Sequence, residues 1–183
     1  MSDNIEPRQI TYKQKLIISL VSIAPNVINS LVVNSLLIYY TDKLGLTRIY
    51  LFGIAILIFG IWNAINNPII GVYIENWEPK DGKEKLKSLM KIGLPIMFIG
   101  FLFFTLAPKG SNDWLLFIFL LTGLIIFEFG KAIVEVASIT FSLLIVTEPE
   151  QRTNLLMIMK LLEFIPLGLV GIVPIIFLAP ERP

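Results

Sequence analysis

Glu128, Lys131 and Glu135 stand inside a long apolar run, three and four residues apart. On a helix those spacings share a face, so Lys131 can pair with either acid. A charge at the centre of a bilayer costs about 2.5–3.5 kcal/mol on insertion scales, so three on one helix must face protein or water. A buried ion pair satisfies that demand, and so does the lining of a polar cavity. The second group of chemistry-bearing residues is amides. Ser22, Asn26, Ser30 and Asn34 recur every fourth residue with Asn29 beside them, which makes one polar stripe. In Trp62-Asn63-Ala64-Ile65-Asn66-Asn67-Pro68, Asn63 and Asn67 share a face. The proline that follows lacks an N–H and frees a carbonyl one turn back. Such groups either hydrogen-bond neighbouring helices or hold hydroxyl-bearing solutes and cations.

Other chemistry is excluded by what is missing. The chain of 183 residues has neither Cys nor His. There is no disulfide framework, thiol nucleophile or zinc-thiolate site, and the usual general base near neutral pH is absent. No phosphate-cradling loop, nucleophile elbow or metal-ligand cluster occurs, so neither an enzyme nor a resident cofactor is expected. A net charge of +1 excludes a strongly basic nucleic-acid binder.

The elements that position these groups follow from composition. Hydrophobic residues make up 55% and charged residues 16%, where a soluble domain carries about a quarter charged. The excess sits in five apolar runs, at 15–40, 49–74, 89–107, 114–146 and 155–178. Roughly 20 apolar residues cross a hydrocarbon core, so each run can span. The expectation is an all-α membrane bundle of five transmembrane helices over 15–179. An N-terminal tail, 1–14, and a C-terminal tail, 180–183, flank it. The fourth run exceeds what a bilayer needs and must tilt, kink or project. The first is too long for a signal peptide, and its front end is polar. Arg8, Lys13, Lys15, Lys80, Lys83, Lys85, Lys87, Lys91 and Arg152 fall on one side, against Lys43, Arg48, Lys109 and Arg182 on the other. The richer side, with the N-terminus, is expected to face the cytoplasm of a cell membrane. Gly53, Gly60, Gly123, Gly130, Gly168 and Gly171 are expected to permit close helix contact. Pro25, Pro68, Pro95, Pro166 and Pro174 are expected to kink their helices.

Certain stretches resemble a known family. Tyr39-Tyr40-Thr41-Asp42, Leu44-Gly45-Leu46 and Trp62-Asn63-Ala64-Ile65-Asn66-Asn67-Pro68-Ile69-Ile70-Gly71 resemble the glycoside–pentoside–hexuronide:cation symporters of the major facilitator superfamily. Ser142-Leu143-Leu144, Glu150-Gln151-Arg152-Thr153, Glu75 and Gly82-Lys83-Glu84-Lys85 are similar to later parts of the family pattern. The resemblance implies the first five helices of a transporter half. It also implies symport of a small solute, a sugar or glycoside, with Na⁺ or H⁺ as the coupling ion. In the family, second-helix carboxylates bind that cation; the matching positions here are Asn63 and Asn67. A first-helix Asp that contacts sugar falls at Asn26, and a fourth-helix Asp at Ala137. An amide oxygen can coordinate Na⁺ but brings no charge and carries no proton. Glu135 lies two residues from Ala137 and so points to a different face.

The expected solute site is therefore Asn26, Asn29, Asn63 and Asn67, joined by Lys131 and Glu135 as a charge pair. Asn63 and Asn67 double as cation contacts. Superfamily carriers use two six-helix halves. The resemblance thus implies further helices, from a second chain or a C-terminal continuation, besides the lipid bilayer and the solute as partners. A lysolipid carrier of the same superfamily and a non-transporting scaffold or truncated relic are the alternatives.

Overall fold

The computed structural model describes residues 11–76, 82–146 and 148–178. They form five helices: α1 (Tyr12–Ile38), α2 (Ile49–Asn76), α3 (Gly82–Thr105), α4 (Asp113–Ile145) and α5 (Pro149–Leu178). No strand occurs among the described residues. Among the described residues, four segments are long and apolar enough to cross a membrane: Ile23–Lys43, Ile49–Ile74, Leu86–Thr105 and Asp113–Phe141. The fifth expected span, 155–178, lies on α5. The side chains of its second half, with Pro166, Gly168, Gly171 and Pro174, lie outside the described residues.

α3 and α5 begin more than a turn before their apolar runs. α3 starts at Gly82 and takes in Lys83, Glu84, Lys85 and Lys87, which are good helix formers. α5 starts at Pro149, whose fixed φ suits a first helical position, with Glu150 in the first turn. Both helices therefore extend through segments that read as polar connections in the sequence.

α4 is the hub. It packs along α3, α2 and α1, and α1 packs along α5. Its apolar window is 56% buried, against 22% for that of α2, so α4 is the helix on which buried charges find protein partners. The α3–α4 contact is backbone to backbone. A Cβ on Gly100 would lie 2.2 Å from the Phe127 nitrogen, and one on Gly130 would lie 2.3 Å from the Met97 nitrogen. Gly93 and Gly123 interlock on the same seam. Gly53 and Gly60 behave otherwise: a Cβ on either meets nothing within 4 Å, because both lie on the exposed side of α2. They contribute no close helix contact here.

One end of the bundle is tied by its connections. α1 continues into a π-helical turn, Tyr39–Lys43, and Gly45 closes the reversal with φ 86°. The last carbonyls of α3 have no partner within their own helix. Two tyrosines supply it: Tyr40 Oη donates to the Phe104 carbonyl at 2.8 Å and Tyr39 Oη to the Thr105 carbonyl at 2.6 Å. Asp113, opening α4, accepts from the Thr47 and Arg48 amides ahead of α2 and from Thr47 Oγ1. Tyr40 is fully buried, so Tyr40→Phe strands the Phe104 carbonyl. The expected loss is about 1–3 kcal/mol, read as a lower melting temperature of the purified protein. An unchanged melting temperature would mean that the hydroxyl contributes nothing there.

Candidate functional site: a charged cluster among three helices

The cluster grows from α4. Glu128 is wholly inside the bundle, with its side chain 0% exposed, and Lys131 is 4% exposed. The Lys131 Nζ–Glu128 Oε1 distance is 2.8 Å, and Nζ lies 3.9 Å from Glu135 Oε2. Glu135 is 19% exposed and forms the open end of the cluster. Spacings of three and four on one helix produce both pairings.

Two neighbouring helices reach this row with amides. From α1, Asn26 Nδ2 donates to Glu135 Oε1 at 3.1 Å. From α2, Asn66 Nδ2 donates to the Glu128 backbone carbonyl at 3.3 Å. The cluster thus bridges α1, α2 and α4, and the bridges join distant parts of the chain through hydrogen bonds to a charged acceptor and a backbone carbonyl.

Several buried polar atoms on these three helices have no partner: Glu128 Oε2, Asn29 Oδ1, Trp62 Nε1 and Asn67 Oδ1. Asn29 is one turn from Asn26, Trp62 is one turn from Asn66, and Asn67 adjoins it. A buried polar atom left unpaired costs about 1–3 kcal/mol, so native proteins keep such atoms where something else binds them.

The residues expected from the sequence distribute as follows. Asn26, Lys131 and Glu135 are brought together directly. Asn29 on α1 and Asn63 and Asn67 on α2 are half-buried. Asn34, at the far end of the polar stripe, is exposed and spends its amide on the Ser30 carbonyl of its own helix. Ala137 is buried in an apolar cluster with Ile70, Leu89 and Ile133, so that face of α4 carries no polar function. Glu135 faces Asn26 instead.

Asn66 was not among the expected site residues. It is 1% exposed, with Ala55, Phe59, Ile70 and Ile74 on the same buried stripe of α2. Positions 59, 66, 70 and 74 follow a helical period, and an amide within that stripe must find an internal partner, but α2 is apolar nearly all round, so the sequence alone does not mark this face as the buried one. Among the described residues no group of acids is arranged as a metal site.

A family model described as MFS/sugar transport protein matches residues 17–182. No curated protein and no solved structure matches significantly.

Proposed function

The chain belongs to the MFS/sugar transport protein family, and on that premise we propose that it carries a sugar or glycoside through a site built on α1, α2 and α4. Membrane transport of a sugar-type solute is what the family does; the particular solute and site are our reading. The observation that carries it is the set of unpartnered buried polar atoms on α1, α2 and α4, the three helices that the Asn26–Glu135 and Asn66–Glu128 hydrogen bonds join. A sugar presents many hydroxyls, each a donor and an acceptor, and meets such atoms in kind. Asn26, Asn29, Asn63 and Asn67 hydrogen-bond those hydroxyls. Glu135, at the open end, makes the charged contact, and Lys131 behind it holds the carboxylate in place.

Coupling of the family type would use Asn63 and Asn67 as neutral oxygen ligands, which suits Na⁺ rather than a proton. The protein sits in the cell membrane with its N-terminus in the cytoplasm, following the lysine-rich side. Further helices, from a second chain or from a longer form of this one, complete the wall opposite α1, α2 and α4.

Asn63→Leu and Asn67→Leu, each introduced into the natural full-length product, should abolish solute uptake while membrane insertion stays normal. Unchanged uptake would remove α2 from the site. It would favour the scaffold reading if wild type and variants alike carried nothing.

One structural feature supports the lysolipid alternative. Two apolar cavities of about 250 Å³ each lie against α1 and α3, one lined by Pro25, Ile28, Leu94 and Met97, the other by Val32, Leu36, Phe101 and Phe104. An acyl chain would be accommodated there and a sugar would not. Competition between a sugar and a lysolipid for uptake separates the two substrates.

A further inference from the structure

The charges of the cluster do not sum to zero. Glu128 and Glu135 bring two carboxylates and Lys131 brings one ammonium. Lys131 Nζ stands between the two acids of the same helix, 2.8 Å from Glu128 Oε1 and 3.9 Å from Glu135 Oε2. Among the described residues, α1 and α2 face the cluster with the neutral amides Asn26 and Asn66. α3 packs on this part of α4 through Gly93 and Met97, with its lysines Lys87 and Lys91 exposed. Fully ionised, the cluster carries one negative charge in excess, with Glu128 fully enclosed and Glu135 at the open end. Such a charge is expensive to bury.

A metal cation is a poor answer. Lys131 Nζ already stands between the carboxylates, 2.8 Å from one and 3.9 Å from the other. A Na⁺ ion there would meet a resident ammonium and would find few further oxygens. A proton needs neither space nor a coordination shell. One atom is free to take it. Glu128 Oε1 is held by Lys131, Glu135 Oε1 accepts from Asn26, and Glu135 Oε2 faces the ammonium. Glu128 Oε2 is buried and has no partner.

We infer that Glu128, Lys131 and Glu135 form a one-proton binding site, with the proton held on Glu128 Oε2. Addition of the proton neutralises Glu128 and leaves the Lys131–Glu135 pair balanced. The ammonium is then drawn to Glu135, whose other oxygen carries α1 through Asn26. Proton occupancy on α4 is in this way transmitted to the α1–α4 contact. Use of the proton to drive a solute rests on the carrier reading above; binding of the proton does not.

The test needs no solute. The natural full-length protein is reconstituted in liposomes, and infrared difference spectra are recorded between alkaline and acidic buffer. Wild type should show one buried protonated-carboxyl band. Glu128→Gln should lose it, and so should Glu135→Gln, because either change balances the cluster without a proton. Lys131→Gln, with two acids and no base, should take up two protons. A band that persists in Glu128→Gln overturns the proposal. So does a band in wild type that Na⁺ at constant acidic pH removes, since that marks a metal-cation site. These outcomes hold whether or not the protein transports sugar, so failure of the proton site and failure of the carrier reading are separately visible.

Discussion

Gly100→Val combined with Gly130→Val leaves almost no folded protein in the membrane. Each new Cβ would enter space held by backbone, 2.2 Å from the Phe127 nitrogen and 2.3 Å from the Met97 nitrogen. Backbone atoms cannot swing aside as a side chain can, so α3 and α4 must separate along the seam. Within lipid no hydrophobic force pushes helices together, and close packing is the main attraction. Ordinary overpacking costs about 1–3 kcal/mol per site, and total stability is only about 5–15 kcal/mol. Two sites of the severest kind, one on each side of the α3–α4 seam, consume most of that margin. The measurement is the amount of full-length protein extracted in monodisperse form by mild detergent. Gly60→Val is the control, because a Cβ there meets nothing within 4 Å, and it should behave as wild type. Equal yields for the double variant and the control would contradict the packing described here.

Lys131→Met has the next largest effect. At alkaline pH, where the cluster is ionised, it strands the Glu128 carboxylate, which is fully buried and has a second oxygen already without a partner. Loss of one partner from a buried pair costs about 3–5 kcal/mol, whereas removal of both partners together is often neutral. Lys131→Met should therefore lower the melting temperature sharply, and Glu128→Leu in addition should restore it. The double variant should still fail in solute uptake, because Glu135 loses the ammonium that holds it. A double variant as unstable as the single one would mean that the pair is not the source of the effect. Recovered uptake would remove Lys131 from the site.

Much of this was legible from residue order. Apolar runs of bilayer length and the lone charged triplet Glu128, Lys131 and Glu135 identify α4 as a helix that must be enclosed, and it is the hub. The family match agrees with the resemblance seen in the second-helix motif. What stayed hidden depends on which faces meet. α2 is apolar nearly all round, so periodicity could not separate the buried Asn66 from the half-buried Asn63 and Asn67. For the same reason Gly53 and Gly60 resembled contact glycines, while the true seam needed Gly93 and Gly100 of α3 opposite Gly123 and Gly130. Helix ends also outran the apolar runs, because charged helix formers continue α3 beyond the hydrocarbon. The bond between Asn26 and Glu135 joins positions 109 apart in sequence, and no local pattern encodes it.

A solute site of the sugar-transport kind on α1, α2 and α4, as proposed, is tested by accumulation of a labelled sugar in liposomes holding the natural full-length product, with Asn26→Leu alongside. Uptake above empty liposomes, competition by unlabelled sugar, and at least a tenfold loss in Asn26→Leu are expected, roughly the 1.4 kcal/mol equivalent of one charge-assisted hydrogen bond. Uptake by Asn26→Leu equal to that of wild type, at equal protein content, would contradict that proposal.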